Sequence, residues 1–456
     1  MFRNFRTLDF VVRPVAISPL VTFRVIIGLM LFISTLRFMV LGWIDDHYID
    51  PVLHFYYFPF HFLPRLSATG LYAMHGAMLI ASLLVMLGWF YRPAAIILFL
   101  TFTFTELIDL TYYLNHYYYV TLVCFLLIWI PANQSFSIDA YRNPRIAKTH
   151  VPAWTIGIFM FQITVVYLYA GLAKINTEWL VEAMPLRIWL PPNNHLPVIG
   201  EIFNWSFTPW VFSWLGMLFD LTIAFWLFWR PSRPWAYFAV IAFHAMTGIL
   251  FQIGVFPLVM MAGTLIFFSP EWHNRWQQAL SKLVNLPTIK IDSTHTRAGM
   301  HPALKWGLLF YVVFQIVFPW RFLLYPGTLF WTEEGYRFGW RVMLMEKAGT
   351  ASFFVEDRCT GREGEVFNAE FLNSHQEKQM AMQPDMILQY AHFLKAHYRD
   401  KGMCDPKVRA EVYITLNGKP SALYFDPQLD LSQIQDSWAP KTWLYSMPGK
   451  EQYVIQ

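Results

Sequence analysis

Lys174 closes an apolar run that begins at Gln162 (Gln162-Ile-Thr-Val-Val-Tyr-Leu-Tyr-Ala-Gly-Leu-Ala-Lys174). An amine at such a lip has two fates. It snorkels to water as an ordinary ammonium, or it is held in a partly dry cavity, where desolvation favours the neutral amine and equips it as a general base. Tyr167 lies seven residues before Lys174, two helical turns, so the two share a face. Gln162, five residues before Tyr167 and about 140° around the helix, shares it loosely. A polar stripe of this kind serves chemistry or ties helices together.

His116 follows Asn115 in Tyr112-Tyr-Leu-Asn-His-Tyr-Tyr-Tyr119, so an imidazole and an amide sit among five tyrosines, as a proton-handling pair or as hydrogen-bonded structure. His244, in Ala242-Phe-His-Ala-Met246, falls inside an apolar run, where an ionisable group is expected to face the bundle interior. Arg187, with Trp189, is placed to clamp a carboxylate or to remain a solvated loop charge.

Other chemistries lack their patterns. There is no GxSxG, Walker or HExxH sequence, and the three Cys have neither zinc nor iron-sulfur spacing, so no metal is expected. Redox help would have to come from a bound organic cofactor. A net charge of +4 over 456 residues leaves no nucleic-acid footprint.

The elements that must position these residues are membrane helices. Hydrophobic residues make up 56% of the chain and charged ones 14%, with a mean hydropathy of +0.36, outside the balance of a soluble domain. Aromatics reach 19%, which suits interface belts and a ring-lined pocket for a flat apolar ligand. Apolar segments of near-spanning length run over 20 to 43, 70 to 90, 93 to 109, 114 to 131, 153 to 173, 208 to 229, 235 to 251, 253 to 268 and 304 to 324, about nine transmembrane helices. The first follows Arg3, Arg6 and Arg13 and is long enough to remain as a spanning helix, so no cleaved signal peptide is expected.

Positive charge orients this bundle. With the N-terminus inside, the inside segments carry Arg3, Arg6 and Arg13, then Arg92, then Arg142, Arg145 and Lys148, then Arg230 and Arg233, then Arg275, Lys282, Lys290 and Arg297. An odd number of spans puts the tail outside, on the side of Lys174 and His116. The division expected is a helical membrane domain over 1–325 and an extracytoplasmic α+β domain over 326–456. The tail carries an alternating run from Val408 to Phe425 around an Asn417-Gly418 hairpin signal, and a helical stretch over about 376 to 400. In an oxidising space Cys359 and Cys404 form a disulfide or remain two thiols, both open on sequence.

These stretches together resemble the vitamin K-dependent gamma-carboxylases, membrane enzymes that convert protein glutamate to gamma-carboxyglutamate. His150-Val-Pro-Ala-Trp154, Ala170-Gly-Leu-Ala-Lys174 and Glu178-Trp179 look like the family segment whose lysine is the catalytic base, and Leu114-Asn-His116 is similar to its Asn-His pair. Phe243-His-Ala-Met246, Leu250-Phe-Gln-Ile-Gly254, Ser269-Pro-Glu-Trp272, Trp331-Thr332 with Tyr336 and Trp340, Tyr424-Phe-Asp-Pro427 and Ser437-Trp438 follow in order. The likeness is to a short, bacterial-type homologue carrying the horizontally transferred transmembrane domain.

The resemblance implies that Lys174 deprotonates reduced vitamin K (phylloquinol or menaquinol), and that reaction with O2 then yields a base strong enough to take a γ-proton from a substrate Glu before CO2 adds. It implies that His116 and Asn115 hold substrate or quinone, and that His244, Tyr336 and Trp340 line the cofactor site. The partners implied are the bilayer and a protein or peptide with Glu residues, in a bacterial inner membrane or endoplasmic reticulum. Two departures stand out: the chain lacks much of the C-terminal region of animal members, leaving propeptide recognition open, and Phe90 stands where a Cys of their membrane-to-tail disulfide is expected. The alternative is a quinone-binding or solute-conducting membrane protein of the same architecture, which has no need of the Lys and Asn-His set.

Overall fold

The computed structural model describes residues 7–251, 253–283 and 300–448. Arg3, Arg6, Gln252, Lys290 and Arg297 lie outside the described residues. The chain is mainly helical, with small sheets, and six helices are long and apolar enough to cross a membrane: Ser18–Val40, Ala68–Leu87, Tyr91–Ile108, Trp154–Ala173, Thr208–Phe228 and Pro302–Leu324. It is a multi-pass membrane protein.

The expected count of nine spans is not met by length and composition. Three of the expected spans are the helices Asn115–Trp129, Arg233–Leu250 and Phe256–Thr264, of 15, 18 and 9 residues. About 20 residues are needed to span the hydrocarbon core. Arg233 and His244 add polarity to the second, and the third passes into a 3₁₀ turn, Leu265–Phe267.

Local sequence sets the helix ends. Ser67 accepts from the Gly70 N–H at 3.2 Å at the start of helix 68–87, and Gly88, at φ 62°, ends it in the left-handed conformation that glycine tolerates. Helices 208–228, 233–250 and 302–317 each begin with proline in the first turn, where its missing N–H costs nothing. Strand β1 (Pro14–Ala16) pairs antiparallel with β2 (His150–Pro152), tying the chain start to the residues that enter helix 154–173.

The C-terminal region forms a four-stranded antiparallel sheet of β3 (Lys347–Asp357), β4 (Arg362–Val366), β5 (Pro406–Leu416) and β6 (Ala422–Leu423), in the order β4-β3-β5-β6. Along β5, Val408, Ala410, Val412, Ile414 and Leu416 are buried in alternation, the period-two pattern visible in the sequence. They pack with Met386, Tyr390 and Leu394 of helix 384–400. Asn417 and Gly418, at φ 51° and 72°, make the β5–β6 turn. Cys359 and Cys404 are joined by a disulfide, and Cys124 is free and buried.

The core of this region is not built from the tail alone. Leu53, Phe55, Tyr57 and Leu110 belong to the same buried cluster. Tyr56 and Gln389 exchange two hydrogen bonds, of 2.8 and 2.9 Å, and the Gln376 amide donates to the Leu53 carbonyl and to Asp109 Oδ2, both at 2.8 Å. The loop after the first helix is thereby threaded into the sheet domain.

Candidate functional site

Helix 154–173 delivers Lys174 at its C-terminal cap, and helix 208–228 delivers Asp220 from mid-helix. Lys174 Nζ lies 2.8 Å from Asp220 Oδ2 and donates to the Ala170 carbonyl at 3.2 Å. Lys174 is 6% and Asp220 5% exposed, so the amine does not reach bulk water. Of the two fates open to Lys174 on sequence, burial is the one seen, and it comes with a carboxylate that the sequence patterns did not single out. An ionisable residue inside an apolar run is the signal that marks Asp220 in Leu218-Phe-Asp-Leu221.

Gly171 sets this approach. A Cβ there would lie 2.8 Å from the Leu221 backbone nitrogen, so only hydrogen lets helices 154–173 and 208–228 come close enough for the pair. That gives the Ala-Gly-Leu-Ala-Lys stretch a packing reason for its glycine.

The pair faces a slot of about 90 Å³ whose walls include Tyr167, Trp179, Phe243, His244, Phe256 and Met260. Tyr167 O–H and His244 Nε2 are hydrogen-bonded at 2.8 Å, and both residues are almost completely buried. Phe219 and Phe243 stack behind them at 4.0 Å between ring centres. The slot is thus ring-lined with two polar pairs, Lys174–Asp220 and Tyr167–His244. That donor set fits a flat apolar ring bearing hydroxyl groups and offers nothing to a hydrated ligand. Among the described residues no group of His, Cys, Asp and Glu is arranged to hold a metal.

His116 stands beside the slot. Its ring lies 5.6 Å from that of Phe256, which lines the slot, and 4.5 Å from that of Tyr117, which lines a larger cleft of about 800 Å³ between the helices and the sheet domain. No hydrogen bond from the chain engages its imidazole among the described residues, and it is 7% exposed. Asp46, His47, Glu370 and His375 supply polar groups to the cleft.

The remaining sequence candidates lie elsewhere. Asn115 is spent on the chain itself: its amide donates to the Arg341 carbonyl at 2.9 Å and its oxygen accepts from Tyr113 O–H at 3.1 Å. Gln162 accepts from Tyr311 O–H at 2.7 Å between helices. Arg187 lies 5.3 Å over the Trp210 ring, outside the slot. Tyr336 donates to the Arg341 carbonyl at 3.3 Å, and Trp340 is buried against Tyr118; neither lines the slot. Their neighbours Val342 and Met343 do.

The 338–343 segment that carries these neighbours is conformationally unusual. Phe338, Trp340 and Met343 have φ of 58°, 57° and 56°, a region that non-glycine residues seldom enter and that concentrates at functional sites. Tyr113 O–H accepts from the Phe338 N–H at 2.6 Å, adding to the Asn115 and Tyr336 bonds that hold it. Below it, Lys347 is buried against Glu333 at 2.8 Å and donates to the Trp331 carbonyl at 2.8 Å, which also accepts from Tyr424 O–H at 2.6 Å. These bonds tie Trp331 and Glu333, which precede the segment, to Lys347 and Tyr424 of the sheet domain.

A second tie closes the site. Glu178, just after Lys174, is 8% exposed and accepts from Asn417 Nδ2 at 2.6 Å and from Lys419 Nζ at 2.8 Å, both on the β5–β6 hairpin. Trp189, which lines the slot, donates to Glu346 Oε2 at 2.6 Å.

A buried lysine–carboxylate pair beside a ring-lined slot, in a helical membrane protein with a sheet domain against it, is the setting in which the comparisons with known proteins are to be read. The family model of the HTTM domain matches residues 12–272, and that of the vitamin K-dependent gamma-carboxylase lumenal domain matches residues 300–450. The chain belongs to the vitamin K-dependent gamma-carboxylase family. No solved structure matches it.

Proposed function

We propose that the protein carries out vitamin K hydroquinone-dependent γ-carboxylation of glutamate side chains in a protein or peptide, with Lys174 as the base and Asp220 as the group that shares its proton. The observation that carries this is the Lys174–Asp220 contact of 2.8 Å at the wall of the ring-lined slot. The pair holds one proton between two sites and is neutral overall. Passing that proton from nitrogen to carboxylate frees the amine lone pair with no change in net buried charge, which avoids the several kcal/mol that an isolated buried ion costs. The freed amine then takes the proton of a ligand hydroxyl held within hydrogen-bond reach.

Reduced vitamin K, phylloquinol or menaquinol, fits the ring-lined walls, and when bound it supplies, with O2, the electrons and base strength a lysine lacks, CO2 being the other co-substrate. Tyr167 and His244 offer that ligand a second polar contact. Trp179, Phe256 and Met260 keep water from the reacting atoms. His116, between slot and cleft, is suited to hand protons or orient the substrate carboxyl.

The orientation that goes with this reading has the N-terminus cytoplasmic and the sheet domain extracytoplasmic, with the boundary near 325/326; the supporting argument is the collection of Arg and Lys on alternate connections. The test is direct. Protein in membranes, given reduced vitamin K, O2 and labelled bicarbonate with a Glu peptide, is expected to form quinone epoxide and to label the peptide. Epoxide no higher than in a Lys174→Ala control would overturn the reading.

A further inference from the structure

The stretch 53–57 faces two ways. Leu53, Phe55 and Tyr57 enter the core of the sheet domain, while His54 and Tyr56 line a crevice of about 190 Å³. Its other walls include Arg65 and Leu66, just before helix 68–87, and Phe104 and Ile108, at the end of helix 91–108. These two spanning helices are joined by residues 88–90 and pack against each other, so the start of the first and the end of the second lie at one membrane level, that of the lipid head groups.

The polar groups of this crevice have bonding capacity that the chain does not use. His54 is 7% exposed, and neither ring nitrogen completes a hydrogen bond with a described residue, although the Tyr48 backbone approaches the ring. A buried polar group is ordinarily satisfied, because one left unmet out of water is costly. Arg65 stands exposed on the rim, with the Val52 carbonyl at 3.3 Å as its partner, and among the described residues no carboxylate pairs with it. Its charge bears on the His54 imidazole. No Asp or Glu is among the described residues that line the crevice.

An imidazole N–H and a guanidinium fork in one acid-free crevice suit a phosphate-type anion. The apolar walls indicate its source. Ile97, Leu100, Phe104 and Ile108 recur at three- and four-residue spacing and so share one face of helix 91–108. Ile97 and Leu100 are exposed, and Phe104 and Ile108 line the crevice. That face is a track for an acyl chain rising to the two polar groups, and a free phosphate would leave it unused.

We infer that this crevice is a phospholipid-binding site, in which Arg65 and His54 hold the phosphodiester of a lipid in the leaflet next to the sheet domain and an acyl chain lies along Ile97, Leu100 and Phe104. Leu53 and Phe55, on either side of His54, are fixed in the sheet-domain core, and Tyr56 is bonded to Gln389 of that domain. A lipid held at His54 therefore also pins the sheet domain to the membrane surface. The site is independent of the activity proposed above.

The test uses full-length protein stripped of lipid in a maltoside detergent. Dioctanoyl phosphatidylglycerol, dioctanoylglycerol and inorganic phosphate are titrated separately, with binding read by native mass spectrometry and thermal shift. Saturable binding of phosphatidylglycerol is expected, at least about tenfold tighter than that of dioctanoylglycerol, which has the chains without the phosphodiester, or of inorganic phosphate, which has the charge without the chains. Arg65→Gln and His54→Leu should each weaken it by about tenfold or more, as expected for a lost charge-assisted bond. Should His54→Leu not fold, Arg65→Gln and Arg65→Lys decide, since Arg65 is exposed and lysine keeps the charge without the fork; Arg65→Lys should then bind between wild type and Arg65→Gln. Phosphatidylglycerol binding undiminished by Arg65→Gln, dioctanoylglycerol binding as tightly as the phospholipid, or inorganic phosphate doing so would overturn the site, the second outcome leaving only an apolar groove and the third only a free-anion site.

Discussion

Asn417, at the turn of the β5–β6 hairpin, donates to Glu178 Oε2 at 2.6 Å across 239 positions of sequence. Lys419 on the same turn donates to the other carboxylate oxygen at 2.8 Å, so the sheet domain grips the short helix that follows the lysine. Charge-assisted bonds of this kind contribute about 1.5–3 kcal/mol each when buried. Glu178→Gln removes the charge and leaves the hairpin amide facing another amide. Initial epoxidation rates at saturating quinol are expected to fall several-fold, with faster proteolysis of the 177–200 segment. An unchanged rate and digestion pattern would show that the grip does not position Lys174.

The Lys174–Asp220 pair makes a stability prediction separate from its catalytic one. Either single change, Lys174→Met or Asp220→Leu, leaves one buried charge without its partner and is expected to cost about 3–5 kcal/mol. The double change removes both and should recover most of that loss while remaining inactive. Asp220→Asn should lower the rate at least about a hundredfold, in the range for lost proton-transfer assistance. Thermal melts in detergent with the epoxidation assay check both; a double variant as unstable as the singles would mean that the two groups do not neutralise each other.

Gly171 and Gly157 lie on one helix and differ in surroundings. A Cβ at Gly171 meets the Leu221 backbone at 2.8 Å, whereas one at Gly157 meets nothing within 4 Å. Gly171→Ala is expected to separate the two helices, costing about 1–3 kcal/mol in stability and lowering the rate. Gly157→Ala should be neutral or slightly stabilising, since alanine is the better helix former. Equal effects at the two positions would remove the packing account of the motif glycine.

Acid lability is expected from two groups outside the spans. Burial holds the His54 imidazole at about 4, below its ordinary 6.5, with Arg65 adding to the effect. The folded state therefore favours neutral His54, and stability falls as pH drops from about 6.5 towards 4, at about 1.4 kcal/mol per unit. Burial alone would raise the Asp385 carboxyl, but Arg337, 2.5 Å away, draws it below the usual range. Its contribution is present above the ordinary carboxylate value and is lost as pH falls through the lower folded one. Melting temperatures should decline from pH 7 to 5, and His54→Phe should flatten that slope. A slope unchanged by His54→Phe would remove the histidine from the account.

Sequence patterning carried some features well and others not at all. The β5 alternation and the Asn417-Gly418 turn were legible because period-two burial and a positive-φ pair are local signals. Lys174 was legible because a charge at the lip of an apolar run is conspicuous. Asp220 was overlooked as one acid within a long apolar helix, and its partner lies 46 residues away, a pairing set by helix packing rather than spacing. Tyr336 and Trp340 were pointed to by the family resemblance alone, yet the slot takes Val342 and Met343 from the same segment, because left-handed residues turn successive side chains in directions no simple period foretells. The entry of Leu53, Phe55 and Tyr57 into the sheet-domain core is likewise a tertiary contact with no local mark.

The strained stretch from Gly339 to Met343 borders two cavities, one of about 360 Å³ through Arg341 and the Lys174 slot through Val342 with Met343. A substitution that relaxes one of its left-handed residues therefore shifts the walls of both cavities at once, so neither can be reshaped alone.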